Sequence, residues 1–354
     1  MTLKVYNTQT RAVGPFVPLE GKKVRVYACG PTIYDHAHIG NFRTFLFFDL
    51  VHRYLEWAGY EVRFVLNLTD VDDKTIEGAA AAASIVVQVH EQLVTYLQPG
   101  RTLADIDAFV GVTIKSLRAK SCFLRYRIPG HPPFPSHSCL SVNDCVVHGT
   151  HLMSTTPIAP GDLVSIDIGV KHNGWIGDAA WTYAISECSD DARRLMDVGR
   201  ESLRRGIAAM QPGAKLLAWA EAVQDCVEKE AGFSLVRGLG GHGYGKTLHG
   251  PPFISNVVPT RPGEWVDSTK EFVEGMLVAV EPMLNAGRHD VESDPGEWPI
   301  RTADGSLSVH YEADVRFIDP HAEGYRGNYH DVFTGEKGAL RRAPFVRAQP
   351  GMVR

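Results

Sequence analysis

The chain has 354 residues, 44% of them hydrophobic, enough to bury a sizeable core, which excludes global disorder. A formal net charge of -5, from 36 basic against 41 acidic side chains, excludes a nucleic-acid binder that works by bulk charge. No apolar run reaches membrane-spanning length, and the start "MTLKVYNTQTR" has no basic segment leading into an apolar one, so neither a span nor a signal peptide is expected.

The first elements form one βαβ unit. "KVRVYAC" predicts a strand, "FRTFLFFDLVHRYLEWAG" a helix that stops at Gly59, and "EVRFVLNLT" a second strand closed by the acidic turn "DVDD". That order fits a parallel pair joined by a helix. Between them, "CGPTIYDHAHIGN" places His36 and His38 in a turn of the kind that cradles phosphate. The unit ends near Thr75, too short for a complete doubly wound domain. Its 9 basic and 8 acidic residues nearly cancel.

From Ile76 the pattern changes. "IEGAAAAASIVVQVHEQLVTYL" predicts a helix broken by "QPG", and Thr102 with Asp105 makes a capping-box start for "LADIDAFVGVTIKSLRA". The arrangement returns 113 residues later: helix "DDARRLMDVGRESLRRGIAAM", then "QPG", then "LLAWAEAVQDCVEKEAG". A strand-rich stretch containing histidine follows each copy, which points to a pseudo-twofold domain. The tail, residues 336–354, is basic and rich in Pro and Gly, a composition that predicts disorder. The six cysteines (Cys29, Cys122, Cys139, Cys145, Cys188, Cys226) show no C-x-x-C spacing and suggest free thiols in a reducing cytoplasm.

The most informative stretch is "GDLVSIDIGVKHNGWIGDAAWTYA". Val164, Ile166 and Ile168 alternate with Ser165, Asp167 and Gly169, the period of a strand, and "KHNG" signals a turn. A four-residue loop at Lys171–Gly174 would set Asp167 directly opposite Asp178. A two-residue loop at Asn173-Gly174 would make them diagonal neighbours. Either register puts both on one face, with Cβ atoms roughly 5 to 8 Å apart. Like charges so placed need a cation or a proton.

Two more carboxylates sit on apolar strands. Glu281 ends "GMLVAVEPML", and Glu312 lies in "SLSVHYEADVRF", where Ser308, His310, Glu312 and Asp314 alternate with apolar residues. Four carboxylates with few imidazoles suit hard or borderline divalent ions and two-metal centres. The segment "GLGGHGYGKTLHGPP" satisfies G-x-G-x-x-G at Gly238, Gly240 and Gly243, and the P-loop pattern at Gly240, Gly245, Lys246 and Thr247. Both motifs need a following helix to face phosphate, and Gly250-Pro251-Pro252 forbids one. The glycines then serve close backbone approach, leaving His242 and His249 as candidate ligand and catalytic histidines.

Together, residues 76–316 resemble the type I methionine aminopeptidases. Asp167 and Asp178 on the hairpin, His242 in G-H-G, Glu281 in V-E-P-M and Glu312 in Y-E follow that family's ligand order. His148 in "SVNDCVVHGT" matches its substrate-side histidine and His249 its second catalytic histidine. Phe134 and Cys139 in "FPSHSCLSVN", with Trp298, match pocket positions. The resemblance implies an α+β, pita-bread (creatinase/aminopeptidase-like) pseudo-twofold domain over residues 76–335, preceded by a truncated Rossmann-like βαβ unit over 1–75. It implies dimetal-dependent removal of initiator methionine from nascent proteins, favoured before a small second residue. Two divalent ions (Co, Mn, Fe or Zn) would be bridged by Asp178 and Glu312, with Asp167 completing one shell and His242 and Glu281 the other. Glu281 would also move a proton, His249 would stabilise the oxyanion and His148 would orient the peptide. The implied partners are N-terminal Met peptides, nascent chains and the ribosome, in the cytoplasm and without a membrane. Leu248, Gly250, Pro251 and the segment 313–335 depart from the family pattern, the first three beside the expected pocket. "EWVDSTKEF" reads as a longer surface loop.

Residues 3–77 resemble the start of cysteinyl-tRNA synthetase, through "VYNTQTR", "CGPTIYDHAHIGN", "RYLEWAGYEV" and "NLTDVDDKTI". "HIGN" stands at that family's ATP-binding signature and Cys29 at a zinc-ligand position. The chain has no K-M-S-K-S, no later zinc ligands and no anticodon-binding domain. The expectation is therefore a fragment without aminoacylation, zinc at Cys29 or nucleic-acid binding. Three other readings compete: a silent pita-bread module that binds peptides or ribosomes, an X-Pro aminopeptidase of the same fold, and a tRNA or aminoacyl-adenylate protein. A silent module would lack part of the ligand set, the Cys139 region and the short N-terminal architecture favour the methionine type, and the last reading rests on residues 1–77 alone.

Overall fold

The computed structural model describes residues 3–28, 30, 39–66, 73–273, 275–317, 330–332, 335–336 and 339–340. Cys29, His36, His38, the start of the acidic turn and most of the basic tail lie outside the described residues. The chain divides into two units, Met1–Thr75 and Ile76–Arg354.

In the first unit, β1 (Lys4–Asn7) and β2 (Ala12–Pro15) form an antiparallel hairpin that the sequence pattern did not suggest. β3 (Lys23–Ala28) and β4 (Glu61–Leu66) pair in parallel, Val24 opposite Val62, and are joined by α1 (Ile39–Trp57). Gly59, at φ +87°, ends the helix in the left-handed region as expected. Two strands and one helix give each other little apolar cover. Val24, Ala28 and Leu55 are buried, while Tyr27, Leu46, Phe47, Leu50 and Trp57 stay exposed.

The second unit is two similar halves. The first runs α2 (Asp73–Tyr96), α3 (Leu103–Ser116), β5 (Lys120–Ser121), β6 (Cys139–Val142), β7 (Cys145–Val147), β8 (Leu163–His172) and β9 (Trp175–Ala184). The second runs α4 (Asp190–Ala209), α5 (Leu217–Gln224), β10 (Ser234–Leu235), β11 (Gly240–Gly243), β12 (Gly250–Ser255), β13 (Leu277–Val280) and β14 (Met283–Asn285). It continues through β15 (Val291–Glu292), β16 (Ile300–Thr302), β17 (Ser308–His310), β18 (Ala313–Phe317) and β19 (His330–Val332). The helix expected over "LLAWAEAVQDCVEKEAG" changes to a π-helix at Asp225–Glu230, where the Gln224 side chain bonds both Glu228 and the Val258 amide.

Each half has its own helix-on-sheet core. Val164, Ile166, Ile168 and Val170 on β8 pack with Val86, Val89, Ile106, Val110 and Ile114 of α2 and α3. Leu195, Leu203, Ile207 and Trp219 of α4 and α5 pack with Val278, Val280, Val309 and Val315. The Thr102–Asp105 capping box that starts α3 is formed. The alanine run of α2 lets β9 approach closely: a Cβ on Gly177 would stand 2.5 Å from the Ala83 nitrogen. His90 crosses this seam. Its Nε2–H donates to the Ala179 carbonyl at 3.1 Å and its Nδ1 accepts from the Tyr183 hydroxyl at 2.9 Å, while burial lowers its pKa to about 3.

The doubled "QPG" is structural. Gly100 and Gly213 both take left-handed backbone, φ +92° and +83°. Gly100 N–H donates to Ile158 O, and Ile158 N–H returns to Arg101 O. Gly213 N–H donates to Phe272 O, and Phe272 N–H returns to Ala214 O. The same pair of backbone bonds thus recurs in each half.

Candidate active site

The helices cover the even-numbered face of β8, so its odd-numbered face, with Ser165, Asp167 and Gly169, turns the other way. Asn173 (φ 50°) and Gly174 (φ +88°) form a two-residue loop, with His172 opposite Trp175. Of the two registers the sequence allowed, the diagonal one holds: Asp178 faces Gly169, and Asp167 lies between Ala180 and Cys139. Gly169 is required there. A Cβ would meet the Phe123 ring at 2.7 Å and Asp178 Oδ1 at 3.2 Å.

The other half brings its candidate ligands to the same place. His242 on β11 pairs with Ala279 on β13. The segment after His249 is strand β12, which bears out the rejection of both nucleotide motifs. Gly241 has no space for a side chain, since a Cβ would lie 2.2 Å from the Ala279 carbonyl oxygen. Glu281 sits in the break between β13 and β14, and Glu312 in the break between β17 and β18. β13 pairs with β18 in one sheet and β14 with β17 in another, so the two breaks face each other. Glu312 N–H donates to the Ala180 carbonyl at 2.8 Å, tying this break to β9.

His242 Nδ1 lies 3.1 Å from the Gly243 carbonyl, which can only accept. The proton is therefore on Nδ1, and Nε2 keeps a lone pair, 3.6 Å from Glu281 Oε1. Asp178, His242 and Glu312 offer ligand atoms within 4.8 Å of one another. Asp167 Oδ1, Asp178 Oδ1 and Glu312 Oε1 are buried without a hydrogen-bond partner. Burial, and then repulsion among these carboxylates, holds Asp178 and Glu312 well above the carboxylate range. Burial also raises Asp167 and Glu281 to about 7, opposed by His310 at the former and His242 at the latter. Carboxylates this close, with bare oxygens converging on a free imidazole nitrogen, fit divalent cations.

Two residues near the cluster were not singled out from the sequence. His310, 2% exposed, places Nε2 3.5 Å from Glu281 Oε2 and belongs to a second group with Glu281 and Glu312. Asp314, buried, accepts the Asp178 amide hydrogen at 3.0 Å through Oδ2. In sequence they shared an alternating polar face, the pattern of a solvated edge. Ser308, His310, Glu312 and Asp314 are all buried, and only the tertiary structure shows that.

An apolar cluster adjoins the candidate ligands: Phe123, Phe134, Cys139, Ile176, Tyr244, Leu248, Ala279 and Trp298. The expected pocket residues Phe134, Cys139 and Trp298 are therefore together, and the atypical Leu248 is one of them. Phe134 and Trp298 meet edge to face at 5.1 Å, and Trp298 Nε1–H donates to Pro132 O at 2.9 Å. Cys139 pairs with Asp167, and burial holds its thiol protonated. His148, at φ 57°, stands edge-on to Trp298 at 6.2 Å, and burial lowers its pKa to about 4. His249 packs against His242 with ring centroids 4.5 Å apart, and its Nδ1 lies 2.8 Å from the Tyr126 hydroxyl. Burial lowers its pKa too. Tyr126 lies in a segment with no periodic signal, and nothing in the sequence pointed to it.

Residues 77–317 match the model of metallopeptidase family M24, and residues 15–107 that of the class I (C) tRNA synthetase catalytic domain. Methionine aminopeptidase 1 of Bacillus subtilis is 37% identical over 67% of this chain and 90% of its own. The solved methionine aminopeptidase of Thermotoga maritima is 31% identical with a TM-score of 0.64, covering 74% of this chain and 97% of that one. The Xaa-Pro dipeptidase of Bacillus anthracis superposes with a TM-score of 0.53 at 18% identity, over 79% of this chain and 68% of its own, a likeness of fold alone. The fold is the pita-bread fold.

Proposed function

The chain belongs to metallopeptidase family M24, and on that premise we propose that Asp167, Asp178, His242, Glu281 and Glu312 hold two divalent ions beside a pocket for a methionine side chain. The chain is a metallo-aminopeptidase that removes N-terminal methionine. What carries the site assignment is the convergence of unpartnered buried carboxylate oxygens and His242 against one apolar cluster.

Bound divalent ions supply Lewis acidity and a more acidic water at neutral pH. The protein supplies the rest. Phe134, Leu248 and Trp298 give the methionine side chain an apolar wall, and the thiol of Cys139 adds a small neutral surface. His148 is neutral at working pH and orients the scissile peptide. Tyr126 holds the His249 ring through Nδ1 at 2.8 Å; in the tautomer where the phenol donates, Nε2 carries the proton and offers it to the carbonyl oxygen as negative charge builds there. Glu281, with an oxygen 3.6 Å from His242 and another 3.5 Å from His310, is the carboxylate that would pass a proton to the leaving amine. On this reading residues 76–335 form the aminopeptidase domain. Its substrates are new chains with a small second residue, met near the ribosome in the cytoplasm.

The test is methionine release by the full chain, stripped of metal and reloaded with Mn, Fe or Co. Met-Ala peptides should be cleaved and Xaa-Pro peptides left intact. Asp178→Asn should lower the rate by about 10³-fold or more, through loss of an anionic donor to the metal site. No methionine release with any metal would refute the proposal, and preferential Xaa-Pro cleavage would replace it.

A further inference from the structure

The five residues above do not exhaust the donors in this cluster. His310 ends β17 and pairs with Met283 on β14, beside the break that holds Glu281. Thr182 grips its backbone from β9: the hydroxyl donates to His310 O at 2.9 Å, and His310 N–H donates to Thr182 Oγ1 at 3.0 Å. Its backbone is thereby held in place, and the side chain is buried. Its Nε2 is buried and makes no hydrogen bond, although Glu281 Oε2 stands 3.5 Å away. An imidazole that served only to orient Glu281 would close that gap to an ordinary hydrogen bond. Glu281, His310 and Glu312 instead present one ligand atom each within 4.8 Å, as Asp178, His242 and Glu312 do.

We infer that His310 is a sixth protein ligand of the metal centre, so that the centre carries two imidazoles rather than one. This rests on the dimetal reading of the site. Glu312 belongs to both groups and links them. A neutral imidazole adds a donor without adding charge to four carboxylates. It also softens the donor set, which moves preference from Mn towards Fe, Co or Zn.

The test counts imidazole ligands directly. In the Co(II)-loaded full chain, each ligating histidine gives one hyperfine-shifted N–H proton resonance that disappears in D₂O. Two such resonances are expected, one absent from His242→Gln and the other from His310→Gln. Calorimetric titration of His310→Gln should show Co(II) bound about tenfold more weakly or worse, with Mn(II) affected less. The count in the unsubstituted chain does not depend on a variant folding, and His310→Asn provides a second substitution. A single resonance that persists in His310→Gln overturns the inference and leaves the five-ligand centre standing. No resonance and no bound cobalt overturns that centre, and the inference with it.

Discussion

Replacing Glu281 by Gln should make the metal-free protein more stable above pH 7 while removing its activity. The folded-state carboxyl is raised from the ordinary 4.5 to about 7, chiefly by burial. A rise of that size corresponds to about 3 kcal/mol between the two protonation states. The sign follows from linkage. Between pH 4.5 and 7 the folded protein holds a proton that the unfolded chain has lost, so stability falls as pH rises through that window. Below it the group costs nothing; above it the full penalty applies. The amide cannot ionise and escapes the penalty, at nearly the same volume. For a unit of this size, about 3 kcal/mol corresponds to a melting temperature higher by about 6 to 12 °C. Thermal melts followed by circular dichroism in chelator, at pH 5 and pH 8, measure it. Subtracting the parent curve cancels groups that do not feel Glu281; Asp167, Asp178 and Glu312 do feel its charge, and relief of that repulsion adds to the gain. The variant should melt with the parent at pH 5 and well above it at pH 8. With metal restored the order should reverse, because the parent alone keeps its full ligand charge. A metal-free variant that melts below the parent at pH 8, or a difference that ignores pH, would show that Glu281 is not a carboxylate held ionised against its surroundings.

His249→Ala should lower kcat on Met-Ala peptides by about 10²- to 10⁴-fold while bound metal, measured by atomic emission, stays unchanged; a loss of metal instead would make His249 a ligand. Trp298→Ala removes the edge-to-face partner of Phe134 and one wall of the pocket. It should raise KM for methionyl peptides more than it lowers kcat, and an unchanged KM in steady-state assays would move the methionine pocket elsewhere. Gly177→Ala would push a methyl group to 2.5 Å from the Ala83 nitrogen of α2. Backbone stands on both sides, so the expected loss is about 3 kcal/mol or more, read from the urea midpoint; an unshifted midpoint would mean α2 and β9 are not in contact.

Much of the site could be read from residue type alone. An acid inside an apolar strand is expensive unless something relieves it, so Asp167, Asp178, Glu281 and Glu312 stood out before any fold was known. The proline pair after His249 was enough to reject two nucleotide motifs. The register of the hairpin was not readable, because "KHNG" supports a four-residue or a two-residue loop and the choice rests on Asn173 and Gly174 both entering left-handed backbone. His310 and Asp314 escaped notice for a different reason. Alternation says which residues share a face, not whether that face meets water. Here both faces of the strand are covered, one by the helices and one by β9 and its hairpin partner. The contact between Tyr126 and His249 spans 123 positions in an irregular segment and leaves no periodic trace.

The division of the proposed ligands between the halves has a consequence for the chain as it is made. Asp167 and Asp178 belong to a half with its own core, which is complete before His242 is synthesised. Glu312 follows Asp178 by 134 residues. Until it arrives, the amide hydrogen of Glu312 cannot reach Ala180, and Thr182 has no strand to grip. The early aspartates must stay hydrated meanwhile, on a sheet whose helix side is already closed. The proposed donor set therefore exists in full only after Glu312 has been made, the last of its members in chain order.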